Sequence, residues 1–405
     1  MNILFLNNGR FAPIRSHTMY TDLMREFQSN GHSVYVLSAN ERRFDSVKEF
    51  YEDNGIHCVC LRIGNLTKCS LPEKVITMMT ISKKYIYGIK KYFSDIRFDL
   101  VLYPTPPISF LGAVTFVKKR DNSQSYLLLK DIFPQNAVDI GIMSKAGLKG
   151  IIYNHYRRQE KQLYKISDHI GCMSEANVNY VRRHNPDIDF HKVEVCPNCL
   201  DVRNMSVDTE TRKQIREKYD IPLDKIVFIY GGNLGKPQGV PFLIECLRKC
   251  KSITDAFFLI VGDGTEYGLL ENYVETEKPL NVKLMKRLPK EDYDVMVGAC
   301  DVGLIFLDHR FTIPNFPSRL LAYMQAKLPV LACTDPNTDV GKVVTEGGFG
   351  WWVESNDSDS FRDWIEKICK SDLNSMKDVE FKYLQEKYSV EEAYKTIVNR
   401  LEESK

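Results

Sequence analysis

The sequence predicts an α/β protein built from two doubly wound, parallel-sheet domains. Three observations carry that prediction. A length of 405 residues exceeds one ordinary core and suits two domains of roughly 200 residues each. Short apolar runs alternate with longer amphipathic stretches in both halves, the pattern of strands and the helices that cover them in parallel sheets. The composition is globular, 43% hydrophobic and 27% charged, and no apolar run reaches the roughly 18 residues that cross a bilayer.

In the first half the strand-like runs are NILFL from Asn2, SVYVLS from Ser33, HCVCLRI from His57, DLVLYP from Asp99, SYLLL from Ser125, HIGCM from His169 and KVEVC from Lys192. In the second they are KIVFIYGG from Lys225, AFFLIVG from Ala256, NVKLM from Asn281, DVGLIF from Asp301, LPVLA from Leu328 and FGWWV from Phe349. Gly31, Gly55, Gly171 and Gly303 punctuate strand boundaries. Between Cys196 and Glu210 a strand gives way to a polar stretch before a helix over Thr211 to Tyr219, which marks the seam. Val390 to Leu401 has helical spacing. The resulting division is residues 1–198, 199–385 and a closing helical segment, 386–405.

The formal net charge of +2 gives no case for nucleic acid as a partner. It is unevenly spread. Residues 1–200 carry 27 Lys and Arg against 19 Asp and Glu, a balance of +8, while residues 201–405 carry 28 against 34, a balance of −6. Either the first domain faces something anionic or charge simply varies between domains. The opening MNILFLNNGR is too short and too quickly polar for a signal peptide, so the expected location is the cytoplasm. Eleven Cys without regular spacing argue against a disulfide framework. Cys196-x-x-Cys199 has no second pair at zinc spacing, and Cys58, Cys60, Cys246 and Cys250 read as buried thiols.

Open parallel sheets bind ligands beyond the carboxyl ends of their strands. Three such loops stand out in the second half. Tyr230–Gly239 brings glycines at 231, 232, 235 and 239 together with Lys236, fit for close backbone approach to phosphate or for a solvated turn. It is neither a dinucleotide fingerprint nor a P-loop, which disfavours NAD and ATP chemistry. Val261–Glu266 is a Gly-Asp-Gly turn. After Phe311, Pro314 and Pro317 fix a loop that leads to Ser318 and Arg319 at a helix start, a ready anion site. A departing diphosphate gathers negative charge, which a metal or fixed cations can stabilise. Asp187-x-Asp189 and Asp357-x-Asp359 have the spacing of a metal pair but lie in polar stretches after helices or turns, so no metal site is expected.

The Pro-Ser-basic step, short amphipathic helix and apolar Pro-Val strand resemble the donor-sugar loop of the retaining family-4 glycosyltransferases. The resemblance covers nearly the whole chain and is nearest to enzymes of bacterial capsule, O-antigen and exopolysaccharide assembly. It implies the GT-B fold, with two Rossmann-like domains facing a cleft and a C-terminal helix returning to the first. It also implies hexosyl or N-acetylhexosaminyl transfer without metal or resident cofactor, by front-face attack that needs no protein nucleophile. A nucleoside-diphosphate sugar, expected to be a UDP-sugar, is then the donor substrate. Its implied site comprises Gly232, Asn233, Lys236, Gln238, Gly262, Asp263, Gly264, Arg287, Asn315, Ser318, Arg319 and Tyr323. This chain departs from the family pattern at several points. Asn233 stands at the usual Arg and Gln238 at the usual Lys, while Pro314 and Ala322 stand at the two carboxylates of the family's Glu-x7-Glu, the second of which holds the ribose hydroxyls.

Leu127–Gly141 resembles the family's reaction-centre segment, with Asp131 as the catalytic carboxylate and Lys130 at the frequent His position. On the residues alone, Asp131 fits a helix N-terminal carboxylate equally. In the opening loop, Gly9, Arg10, Arg15 and His17, joined by Ser174 at a later helix start, form the implied acceptor set. The implied acceptor is polyprenyl-diphosphate-linked or an oligosaccharide. Lys68 to Arg97 carries seven basic and two acidic residues among Ile76, Met79 and Tyr87, and Ile142 to Asp168 carries six and two among Ile151, Ile152 and Tyr156. Such stretches rest on an anionic membrane surface or are ordinary solvated helices. A lipid-linked acceptor favours the first, with the protein peripheral on the inner face of the cytoplasmic membrane. Two other readings stay open, a donor-binding scaffold that has lost catalysis and a GT-B sugar-nucleotide epimerase.

Overall fold

A computed structural model describes residues 1–45, 48–66 and 69–403. The chain forms two compact units, Met1–Asp201 joined by Ser389–Lys405, and Val202–Tyr388.

The sheet of the first unit holds β1 (Asn2–Leu6), β2 (Ser33–Glu41), β3 (Phe50–Asp53), β4 (Ile56–Ile63), β5 (Leu100–Thr105), β6 (Gln124–Leu129), β7 (His169–Cys172) and β8 (Val193–Val195). Their spatial order is β3-β4-β2-β1-β5-β6-β7-β8. All neighbours run parallel except β3, which pairs antiparallel with β4. β3 leaves no strand signal in the sequence because its four residues are partly exposed and end in two carboxylates, without the apolar run that marks the buried strands. Helices cover both faces. One of them, Met19–Ser29, starts at Thr18, which exchanges hydrogen bonds with Thr21 in a capping box. The closing helix Val390–Glu403 packs here. Ile397, Ala393 and Leu401 join the cluster around Phe27, and the Tyr394 ring meets Phe27 edge-on at 5.1 Å.

The second unit holds β9 (Ile226–Asn233), β10 (Ala256–Asp263), β11 (Val282–Met285), β12 (Val302–Phe306), β13 (Val330–Thr334) and β14 (Gly350–Glu354), in the order β11-β10-β9-β12-β13-β14, all parallel. Strand order reverses between β1 and β5 in one sheet and between β9 and β12 in the other. Crevices for ligands open at such switch points. Among the described residues no helix is long and apolar enough to cross a membrane.

Helix Asn374–Lys387 carries an unusual burden in Glu380, which is fully buried with neither carboxylate oxygen hydrogen-bonded. Burial pushes its carboxyl well above the ordinary range, which favours the neutral acid in the folded protein. The unfolded chain ionises it above about pH 4.3. Stability linked to this group is therefore full below that pH and falls as pH rises toward the folded value. Glu380→Gln should raise the urea midpoint at pH 8 by the equivalent of about 1–3 kcal/mol and make no difference near pH 4. A gain of equal size at both pH values would sink this account.

Candidate active site

The crevice between β9 and β12 is built around one tyrosine. These strands pair only through Phe228 with Val302 and Ile229 with Gly303, then diverge. The Tyr323 hydroxyl fills the gap. It accepts from the Gly231 N–H at 3.3 Å and faces the carbonyls of Ile229 and Leu304, each at 3.1 Å, as donor. Gly303 makes room for its ring, since an added Cβ there would lie 2.4 Å from a ring carbon. Gly231 does the same for Tyr293, whose hydroxyl would be 1.6 Å from a Cβ. Tyr323 is thus fully buried, with its hydroxyl spent on the backbone of the sheet, where the sequence suggested a side chain offered to a donor.

One turn earlier on the same helix, Arg319–Gln325, stands Arg319. Its guanidinium carbon lies 4.3 Å from the centre of the Tyr230 ring, and Nη2 is the side-chain atom nearest to where a Gly232 side chain would begin. Nη1 is buried without a hydrogen-bond partner. The helix has only seven residues, and Ser318 makes no capping bond through its exposed side chain. Capacity to hold an anion here therefore rests on the arginine and not on the helix terminus that the Pro-Ser step suggested.

The loops around Arg319 are braced from within. Asn233 Nδ2 and the Gly235 N–H both donate to Gln238 Oε1, at 2.9 and 3.2 Å, which occupies Gln238 inside its own turn. Gly262 permits β10 to approach β9, because a Cβ there would come within 2.1 Å of the Gly232 carbonyl oxygen. Gly264 lies against Leu234, and Asp263 accepts the Gly264 N–H while staying exposed. Gly232, Asn233 and Lys236 are exposed at this strand end. Arg287 is exposed at the exit of β11, beside Lys286, which sits 3.2 Å above the Tyr267 ring.

The loop after β12 is held by residues that sequence reasoning missed. Asp335, fully buried at the end of β13, accepts from the N–H groups of Asn337 and Thr338 and from the Thr338 hydroxyl. Thr338 Oγ1 in turn accepts the Asn315 N–H at 3.0 Å, and Asn337 Nδ2 donates to the Phe311 carbonyl at 2.7 Å. Burial pushes the Asp335 carboxyl up to about 6 against the pull of these bonds. Asp-Pro-Asn-Thr after an apolar strand is an Asx-turn signal that could have revealed this brace.

In the first unit Asp131 follows β6. Oδ2 accepts from Asn136, while Oδ1 is buried without a partner. The next helix starts only at Gln135, so the carboxylate does not cap it. Burial, opposed by the Ile132 N–H and Asn136, raises its pKa to about 6. Lys130 turns away to the carbonyls of Cys196 and Pro197, at 3.4 and 3.2 Å, and ties two strand exits together. Ser174 caps helix Glu175–His184. Gly9, at φ +124°, accepts the Ala39 N–H. Arg15 is exposed, and Arg10 lines a cavity of about 310 Å³ with Lys48, Tyr51, Asp53 and Cys60. His17 Nδ1 lies 3.4 Å from Asp22 and 3.5 Å from Asp201.

The remaining motifs have structural work. Asp189 and Asp357 cap helical turns, and Asp359 pairs with Lys249 at 2.6 Å. Cys196 and Cys199 are buried free thiols, and burial pushes Cys199 up to about 12. Among the described residues, no group of three His, Cys, Asp or Glu is placed to hold a metal ion.

Two parallel-sheet α/β units of these strand orders give the chain a GT-B fold. It aligns with sucrose-phosphate synthase from Thermosynechococcus elongatus at a TM-score of 0.74, with 14% identity over 98% of each chain. The protein is a glycosyltransferase, and its residues 211–383 match the family described as Glycosyl transferases group 1. It is 25% identical over 316 residues, 76% of each chain, to the probable glycosyltransferase WbjE of Pseudomonas aeruginosa. It is also 24% identical over 220 residues to the UDP-Gal:alpha-D-GlcNAc-diphosphoundecaprenol alpha-1,3-galactosyltransferase of Escherichia coli, 51% of this chain and 54% of that one.

Two outcomes are expected at this site. Tyr323→Phe removes a hydroxyl from three backbone groups and should lower stability by about 2–3 kcal/mol in urea unfolding, well beyond the loss from an exposed hydroxyl. Asp131→Asn should stabilise the protein above pH 7 by up to about 3 kcal/mol, since the protonated acid's advantage is complete below its ordinary pKa near 3.9 and lost as pH rises through 6. Denaturant midpoints from pH 4 to 8 would reveal a flat difference if the carboxyl is not raised.

Proposed function

We propose that the protein transfers a sugar from a nucleoside-diphosphate donor, a UDP-sugar, to a lipid-linked or glycan acceptor in bacterial surface polysaccharide assembly, with retention of configuration. The observation that carries this reading is Arg319, a half-buried side chain whose Nη1 is buried without a partner beside exposed Gly232 at the switch point of the second sheet. A diphosphate fits that geometry, because arginine binds phosphate oxygens through paired N–H groups and a dry, braced site strengthens the attraction. Lys236 and the backbone of the Gly232 loop add charge and donors. In this reading the leaving group's charge is met by these groups without metal, and no resident cofactor takes part. In this reading the first unit takes the acceptor, with Asp131 as its candidate catalytic carboxylate. The named substrates of the E. coli relative, a UDP-sugar and a diphosphate-linked lipid, support the choice of both substrate classes.

Ala322 favours a second reading. The family's ribose-binding carboxylate is missing from this partly exposed position, as it would be in a scaffold that binds donor weakly and does not turn over. Calorimetry with UDP, GDP, UDP-GlcNAc and GDP-mannose, first without and then with magnesium, separates the two. Metal-independent binding of a uridine nucleotide, weakened about tenfold or more in Arg319→Met and tightened in Ala322→Glu, is the expected result. Absence of binding by all four nucleotides overturns the transferase reading and leaves the scaffold.

A further inference from the structure

We propose that the first unit docks on an anionic lipid bilayer through one face made by helices Leu71–Tyr92 and Gly147–Ile166. The helices meet where the Tyr156 hydroxyl lies 3.5 Å from the Met78 sulfur. Large apolar side chains near that contact in sequence are exposed on both helices. Met79 is 73% exposed, Ile151 67% and Ile76 62%, with Ile152 exposed one turn before Tyr156 and Ile142 exposed just ahead of the second helix. Single exposed apolar residues are ordinary, but four on two helices that touch, with a fifth just ahead of one of them, are more than scatter.

Charge decides what covers it. Beyond the apolar ends, the outward faces continue as Lys83, Tyr87 and Lys90 on one helix and as Arg158, Lys161 and Lys165 on the other, all exposed. Spacings of three and four residues keep each series on one side of its helix. No carboxylate on either helix faces out. Glu73 is bonded to Arg42 and Asn65, and Glu160 is buried against Arg157 and Tyr164. Lys68, which opens the first basic stretch, lies outside the described residues. An apolar tip whose two helices present cations and no carboxylate outward matches a lipid surface, where apolar side chains enter the acyl boundary and lysines meet headgroup phosphates, and Asp139 beside Tyr153 is the nearby acid on an adjoining segment. A partner protein's polar rim would call for both signs of charge.

This inference stands on the surface alone and needs neither donor nor acceptor to test. The full chain is sedimented with vesicles of phosphatidylcholine containing about 30% phosphatidylglycerol, and with phosphatidylcholine alone, at low and high salt. One variant replaces the tip, Ile76→Ser, Met79→Ser, Ile151→Ser and Ile152→Ser. A second reverses charge, Lys83→Glu, Arg158→Glu and Lys161→Glu. Circular dichroism and thermal unfolding confirm that both stay folded, as exposed substitutions permit. Binding to the anionic vesicles, reduced about tenfold or more by each variant and by salt for the wild type, is the expected result. Equal partition of wild type and folded variants overturns the proposal. So does a dimer in light scattering that the serine variant abolishes, which would assign the patch to a second copy.

Discussion

The second unit depends on a hydroxyl that stands in for missing sheet. β9 and β12 must part to open a crevice, and parting leaves backbone groups in the core without ladder partners. Tyr323 supplies them from a short helix, so the divergence is held open at a fixed width. Gly231 and Gly303 follow from this arrangement, since side chains at either position would strike the tyrosines that fill the space. Arg319 follows as well, because the helix anchored by Tyr323 carries the guanidinium to the crevice mouth one turn away.

Around that anchor, polar groups are largely spent on one another before any ligand arrives. Gln238 closes its own turn, Asp335 organises the loop from Phe311 to Asn315, and Lys130 ties the exits of two strands in the first unit. Such bracing lowers the reorganisation needed on binding. Buried atoms left without a partner include Arg319 Nη1, Asp131 Oδ1 and, beside the latter, Asn136 Oδ1. Their isolation costs stability in a fold that pays the same kind of penalty at Glu380, where no site explains it.

Much of the architecture was legible because strands buried on both faces read as apolar runs, and the edge strands β8, β11 and β14 keep enough apolar residues to be placed too, so that thirteen strands were read from the sequence. β3 escaped since an edge strand with solvent on its sides needs no such run. Local motifs announced the strand-exit loops, but not what each residue in them does. Tyr323 sat in a stretch that resembles a donor loop, and its inward direction could not be read from spacing. The cue was elsewhere, in Gly303 within an otherwise apolar strand, where glycine marks a close neighbour. Asp335 was hidden for a different reason. Its effect reaches Asn315 through Thr338, across twenty residues of sequence, and such contacts leave no local trace.

The closing helix makes the first unit discontinuous in sequence. Val390 bonds to the Leu200 carbonyl, so the segment leaving the unit and the segment re-entering it run side by side. A fragment ending at Asp201 would bare Phe27 and the apolar side of Met19–Ser29, whereas one ending at Tyr388 would keep the second unit whole and still expose that surface. Dissection by a single cut therefore yields at most one intact half. Linking the end of the closing helix to Met1 and opening the chain near Val202 would turn the first unit into one continuous stretch, which makes circular permutation the natural route to studying it in isolation.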